Sequence, residues 1–316
     1  MGQGSDHDNR GSLLERARRA LGANTPAGAV RKVRAIVGAH NIPSSESEAQ
    51  HALESLQNGK IPTASQVIAL EIVIRLMRPV LLSRGGVLDD LPETANGDLQ
   101  PAALKDAWSA FRNIARPYLG SIGRIEDRAN RHVGTGFVIG DDLIATNRHV
   151  LGVLSSGADV ISDGAARIVF KQEAGETNAA GDMVQILEVV RIHPKKDIVI
   201  LRADIGGRVS VRFSPNIPAV GTAVATIGYP GWDEVNNPLF LAAVFNGKFG
   251  VKSAALGEVL DGTDEPDFFH DCSTTQGNSG SPIFVVSTGE VAGIHRSGYF
   301  MYRNEAVGSG EIRRLF

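Results

Sequence analysis

Three separated segments carry side chains that could do chemistry together. The first runs Gly134-Thr135-Gly136-Phe137-Val138-Ile139-Gly140 and then Leu143-Ile144-Ala145-Thr146-Asn147-Arg148-His149-Val150. The second is Lys196-Asp197-Ile198-Val199-Ile200-Leu201, and the third is Thr274-Thr275-Gln276-Gly277-Asn278-Ser279-Gly280-Ser281-Pro282. A serine hydroxyl is a poor nucleophile at its free pKa, so a base must take its proton as it attacks. An imidazole such as His149, with an ordinary pKa near about 6.5, suits that task. The imidazole in turn needs a buried carboxylate to fix its tautomer and stabilise the cation that forms. Asp197, at the head of an apolar run, is placed to supply it. A tetrahedral oxyanion needs two converging backbone N–H groups. Gly277 and Gly280 flank Ser279 and permit the tight, partly positive-φ path that aims such donors inward. The chemistry is acyl transfer, with Ser279 as nucleophile, His149 as base and Asp197 as its orienting acid.

The order His149, Asp197, Ser279, with gaps of 48 and 82 residues, resembles that of the chymotrypsin-like (trypsin-like) serine proteases. The resemblance covers roughly residues 117–316 and implies a double β-barrel. Within that family the chain is most similar to the bacterial glutamyl endopeptidase (V8-like) branch. The residues behind this are Gly228-Tyr229-Pro230-Gly231, the run from Ser273 to Pro282, Gly293-Ile294-His295 and Asn304-Glu305-Ala306-Val307. The resemblance implies an oxyanion hole from the Gly277 and Ser279 N–H groups and an S1 pocket holding Thr274 and His295. It also implies an acidic P1 side chain, because a histidine and a threonine offer a buried carboxylate donors without a fixed charge. Three departures stand out. Asn278 occupies the place where zymogen-activated members carry an aspartate. Arg124-Ile125 lies only 24 residues before His149 and has no acidic partner, so no activation cut is expected there. Arg296 follows His295 where an aromatic is often found.

The elements that must position these groups fall into two textures. Ser12 reads as the cap of a helix over 13–21, and Val30, Val33, Ile36 and Val37 mark one face of a second helix. Ser45 with Glu48, and Thr63 with Gln66, read as capping boxes of two more. The last of these helices is apolar over more than half its circumference, and Pro79 kinks or ends it. Gly85-Gly86, Pro92 and Gly97 read as a linker. A connecting helix with Leu104, Trp108, Phe111 and Ile114 on one side follows and is predicted to end before Pro117. Short β-branched runs then take over, at 136–139, 142–146, 184–192, 198–201, 222–229, 282–286 and 291–295. The fold class is α+β multidomain, an N-terminal all-α bundle before an all-β double barrel. The divisions are a mobile tail over 1–10, a helical recruitment or regulatory domain over 11–82, a linker and connecting helix over 83–116, and the protease domain over 117–316.

The chain has 316 residues, 42% of them hydrophobic and 21% charged, enough for about two domains with real cores. A net charge of −3 argues against whole-molecule binding to nucleic acid or anionic membrane. One cysteine, Cys272, allows no internal disulfide and fits a reducing compartment; it reads as a small buried apolar residue. The longest apolar run, residues 67–82, contains Glu71, Arg75 and Arg78 and is too charged to span a bilayer. A cytoplasmic location without membrane partner follows. No cofactor is implied. His40, His132, His193 and His270 lack partners at metal spacing and read as structural or surface residues, so no metal site is expected. Residues 10–40 hold seven basic side chains against one acid, a solvated face by default. The partners expected are a protein substrate and a sensor or adaptor docking on the helices. A helical module before a protease is similar in arrangement to bacterial defence effectors. Two other classes stay open on the sequence alone: a catalytically silent peptide-binding scaffold, and a nucleic-acid-responsive protease acting through residues 10–40.

Overall fold

The computed structural model describes residues 4–37, 46–94, 97–98, 100–176, 179–260, 265–299 and 303–316. Four helices come first: α1 (Gly4–Leu21), α2 (Pro26–Val37), α3 (Glu46–Gln57) and α4 (Ala64–Leu76). The capping box predicted at Thr63 opens α4. The Thr63 hydroxyl accepts the Gln66 N–H at 3.3 Å, and the Thr63 N–H donates to Gln66 Oε1 at 2.9 Å. The box predicted at Ser45 falls outside the described residues. Helix α1 starts at Gly4 rather than after Ser12, so residues 4–10, which read as a mobile tail, are helical. That segment is polar but contains no proline, and Gly11 weakens a helix by only about 1 kcal/mol without breaking it.

Strands β1 (Val80–Arg84) and β2 (Val87–Leu88) form a hairpin, and β3 (Glu93–Thr94) and β4 (Gly97–Asp98) form another. The segment that reads as a linker is therefore largely paired. Gly85 and Gly86, both at positive φ, make the first tight turn instead of a flexible joint. Strand β1 also runs straight through the boundary placed at residue 82. Helix α5 (Ala102–Leu119) continues through Pro117 rather than ending before it. A mid-helix proline costs about 3 kcal/mol. Burial of Tyr118 and Leu119 in the same core as Trp108 and Phe111 offsets that cost.

The first barrel is closed by β5 (Ile122–Asp127), β6 (His132–Val138), β7 (Leu143–Thr146), β8 (Ala166–Val169), β9 (Met183–Ile192) and β10 (Val199–Ala203), with the short helix α6 (Arg148–Leu154) after β7. Its strand order is β10-β7-β6-β5-β8-β9, and β9 pairs back to β10. The second contains β11 (Ala223–Gly228), α7 (Pro238–Val244), β12 (Ser253–Leu260), β13 (Asp267–His270), β14 (Pro282–Val285), β15 (Val291–Tyr299), β16 (Arg303–Gly308) and α8 (Ser309–Arg313). Its order is β11-β14-β15-β16-β13-β12, and β12 closes onto β11. Strand β1 adds to β12, pairing Val80 with Ala255. The architecture is the double barrel preceded by helices. A buried lysine ties the barrels: Lys252 Nζ, from the second, donates to the carbonyls of Leu119 (2.6 Å) and Phe170 (2.7 Å) and to Glu173 (3.2 Å).

The helices are not separate from the second barrel. Leu70, Val73 and Ile74 of α4 belong to the same apolar core as Phe268, Cys272 and Ile283. Charges cross that seam as well. Arg16 of α1 donates to both oxygens of Glu71, at 2.9 and 2.7 Å, and to Asp271 at 3.0 Å. Arg78 reaches Asp271 at 3.1 Å and also Glu258, which Arg19 grips at 2.6 Å. Of the basic stretch over 10–40, Arg16 is buried in this cluster and Arg19 reaches it from the surface, while Arg18 pairs with Glu15 and Arg34 with Glu46 at the surface or its edge, and Arg31 is exposed. Burial alone would raise the Asp271 pKa, but Arg16, Arg78 and Arg75 hold it well below the usual carboxylate range. Among the described residues no helix is long and apolar enough to cross a membrane. Arg16→Met leaves two buried carboxylates short of a partner and is expected to lower stability by about 3–5 kcal/mol in urea unfolding. The exposed Arg18→Met is expected to change it by less than about 0.5 kcal/mol.

Candidate active site

His149 and Asp197 pair in the cleft between the barrels. His149 Nδ1 meets Asp197 Oδ2 at 2.7 Å, and the His149 backbone N–H donates to Asp197 Oδ1 at 2.9 Å. One residue therefore occupies both carboxylate oxygens. An Nδ1 facing a carboxylate carries the proton and leaves Nε2 as the basic nitrogen. Partial burial works against the Asp197 charge, but the hydrogen bonds and charge of His149 hold its pKa below the ordinary value.

Asp197 does not sit on β10 but in the turn just before it, and that turn is built. His193 Nδ1 accepts the N–H groups of Lys195 (3.1 Å) and Lys196 (2.8 Å). Its proton must then lie on Nε2, which donates to Glu311 of α8 at 2.9 Å. Asn147 Nδ2 donates to the Asp197 carbonyl at 2.8 Å. Asn147, two residues before His149, and the turn bearing Asp197 are thereby joined directly.

Ser279 lies in the turn between β13 and β14, pressed against the first barrel. The Thr135 N–H donates to the Ser279 carbonyl at 2.8 Å, and the Thr135 hydroxyl to the Gly277 carbonyl at 2.8 Å. Gly280 has φ of +87°, and a Cβ there would lie 2.1 Å from the Thr135 carbonyl oxygen. At Gly277 φ is +90°, and a Cβ would lie 2.2 Å from His132 Cε1. Only glycine fits either place. Among the described residues, neither the Gly277 nor the Ser279 N–H is donated to a protein acceptor. His149, Asp197 and Ser279 line one cleft of about 760 Å³.

Thr274 and His295 line the same cleft, beside Arg296. The Thr274 hydroxyl donates to Asn304 Oδ1 at 3.0 Å, and Asn304 Nδ2 donates to the Cys272 carbonyl at 2.5 Å. His295 Nδ1 meets His270 Nε2 at 3.2 Å, with the two rings edge-on. Burial pushes the His295 pKa down to about 3, helped by the charge of His149. Burial likewise holds His270 well below its ordinary value. The sequence reading leaves His270 and Asn304 out of the site. The signal for His270 is strand alternation, which puts Phe268, His270, Cys272 and Thr274 on one side of an extended chain. His132, also read as structural, packs edge-on to Tyr229 and against Gly277, and burial takes its pKa down to about 4. Cys272 is fully buried, and burial pushes its thiol up to about 12. Arg296 is drawn to Glu305 and Asp267 rather than left free.

A family model described as the trypsin-like peptidase domain matches residues 134–294, half of the chain and the segment that bears all three groups. The chain belongs to the trypsin-like peptidase family. No curated protein matches the protease in sequence. Among solved structures it is similar to a serine endoprotease from Yersinia pestis, at 19% identity and a TM-score of 0.47, over 65% of this chain and 64% of that one. The chain thus spans somewhat under two-thirds of the Yersinia protein. It is also similar to the Rv3671c protease in an inactive form, at 16% identity and a TM-score of 0.45, over 71% of this chain and 97% of that one. A mutant of Rv3671c from M. tuberculosis, likewise inactive, gives 19% identity and a TM-score of 0.44 over 64% and 88% of the two chains.

The buried imidazoles carry a pH signature. An unfolded chain protonates them near about pH 6.5, whereas folded His132 and His295 wait until about 4 and about 3. The unfolded state therefore binds more protons in that window, and stability is complete above it. The thermal midpoint is expected to fall as pH drops from about 6.5 towards 4, and His295→Asn should flatten part of that fall. Gly280→Ala is expected to destabilise the protease by about 1–3 kcal/mol and to suppress peptide cleavage, as measured by thermal melting and turnover.

Proposed function

We propose that Ser279, His149 and Asp197 are the catalytic residues of this protease. The observation that carries the reading is the clamp of His149 on both oxygens of Asp197 inside the cleft that Ser279 lines. The Ser279 hydroxyl attacks the scissile carbonyl while its proton passes to His149 Nε2. Asp197 steadies the imidazolium. The Gly277 and Ser279 N–H groups take the oxyanion, a contribution worth roughly 10²–10³ in rate per donor. Collapse breaks the C–N bond, and the leaving amine takes the proton from His149. Water, deprotonated by the same imidazole, then releases the acyl group and restores the serine.

Thr274 and His295 form the S1 pocket in this reading, and the side chain they accept is acidic, as in the glutamyl endopeptidase branch. Two features support it. A neutral buried imidazole can donate one N–H to a carboxylate, and the Thr274 hydroxyl can rotate from Asn304 to the ligand. Helices α1–α4 serve recruitment or regulation by a sensor or adaptor in a cytoplasmic, defence-type setting. Their shared core with the barrel that carries Ser279 gives such a partner a mechanical route to the cleft. The single cysteine suits a reducing compartment.

Ser279→Ala is expected to lower kcat on the order of 10⁶-fold, and Asp197→Asn about 10⁴-fold through loss of tautomer control. Steady-state cleavage of a protein substrate measures both, and near-normal turnover in either variant contradicts the assignment. Profiling of cleavage sites in a digested proteome is expected to return glutamate or aspartate at P1.

A further inference from the structure

Three carbonyls of the serine turn are held from outside it. Thr135 takes those of Gly277 and Ser279. The third, of Gln276, accepts the Gly231 N–H at 2.5 Å. The Gln276–Gly277 peptide is trans, so its carbonyl and its N–H point in opposite directions. With the carbonyl tied to Gly231, the Gly277 N–H faces the other way, where no described protein group accepts it. The donor is itself held. The Gly231 N–H shares a peptide group with the Pro230 carbonyl, which accepts the Gly250 N–H at 2.6 Å. The Gly250 carbonyl in turn accepts Nη1 of Arg124 at 3.1 Å. Arg124 lies on β5 of the first barrel, with its Nε 3.1 Å from Glu126 Oε1. Arg167 grips the other Glu126 oxygen at 2.9 and 2.6 Å. The Thr275 hydroxyl donates to the Gly231 carbonyl at 2.8 Å and ties the two turns a second time. Three peptide groups therefore lie in series, N–H to carbonyl, with their last N–H groups on Gly250, Gly231 and Gly277. Hydrogen bonds linked in this way polarise one another in the same sense. The contact leaves no room at Gly231, where a Cβ would lie 2.9 Å from the Gln276 carbonyl oxygen.

We propose that this series of peptide groups is the latch of the oxyanion hole and that Arg124, at its far end, is a positioning residue for catalysis. The inference rests on the reading of the Gly277 N–H as an oxyanion donor. It gives a role to Gly228-Tyr229-Pro230-Gly231 and to Arg124, which stand out in the sequence but lie outside the triad. Without the Gly231 N–H the Gln276 carbonyl loses its partner. The peptide is then free to turn over, because Gly277 has no Cβ to oppose the change of φ. Turned over, it sets a carbonyl oxygen against the developing oxyanion instead of a donor. Arg124 is not among the residues lining the cleft and acts through the Gly250 backbone.

The test uses the full chain with Gly231→Ala, Arg124→Met and Arg124→Lys. The substrates are one peptide that the wild type cleaves, made as its methyl ester and as the matching thionoester. Sulfur accepts hydrogen bonds poorly, so the oxygen ester gains from the hole and the thionoester does not. The wild type is expected to favour the oxygen ester roughly 10²-fold, the order that one donor supplies. Gly231→Ala and Arg124→Met should each lower that ratio roughly tenfold, the population shift that one lost hydrogen bond supports. The loss should fall on kcat for the oxygen ester and leave KM unchanged. Arg124→Lys keeps a donor and should keep most of the ratio. A crystal structure of Gly231→Ala should show the Gln276 carbonyl turned towards the hole. If one of the two disruptive variants does not fold, the other carries the test. A folded Gly231→Ala with the wild-type ratio and an unturned peptide overturns the latch. An Arg124→Met that keeps the ratio while Gly231→Ala loses it overturns the role of Arg124. A wild type that cleaves both esters equally fast sinks the reading of Gly277 as an oxyanion donor instead, and an unturned peptide in the variants then overturns the latch as well.

Discussion

The three groups proposed as catalytic come from two different barrels, so everything at the site depends on how the barrels are held together. His149 and Asp197 ride on the first, and Ser279 on the second. Thr135 of β6 spans the gap, giving its N–H to the Ser279 carbonyl and its hydroxyl to the Gly277 carbonyl. One residue of the first barrel thereby positions both Ser279 and Gly277, two residues before it. That contact demands close approach, which is why no side chain fits at Gly280. Deeper in the interface, Lys252 and the Tyr229 hydroxyl satisfy carbonyls of the first barrel, with Tyr229 reaching Ile122 at 3.1 Å. Buried donors without partners there would be costly, so these polar contacts favour a single docking geometry over neighbouring ones.

The helices act on the second half of this arrangement. Their apolar faces complete the core of the second barrel, and β1 extends its sheet. Asp271 is the pivot. Its carboxylate receives Arg16 and Arg78 from the helical side and the Glu258 N–H from β12. Directly after it come Cys272, Ser273 and Thr274, the approach to the cleft wall. A buried carboxylate held from three directions fixes the backbone of the segment that leads to Ser279.

The three groups proposed as catalytic stand out in the sequence because each sits in its own local context: glycines around the serine, a short polar stretch before the histidine, an apolar run after the aspartate. The capping box at Thr63 and the strand runs around 136–139 and 282–286 were legible for the same reason, as local chemistry. Strand β12 was not, since Ser253–Leu260 is buried along its whole length and rich in alanine and glycine rather than β-branched residues. The charge cluster was hidden more deeply. Arg16 and Asp271 are 255 residues apart, and in a run of basic residues a buried guanidinium looks like a solvated one. His270 escaped because a histidine on a strand acquires meaning only from the ring opposite, and His295 belongs to another strand.

The most direct measurement is covalent labelling with a fluorophosphonate probe followed by mass mapping of the modified peptide. The account predicts one label per chain, on Ser279, lost when His149 is replaced by alanine. A label on another serine, or none on a folded protein that still cleaves peptides, would contradict it.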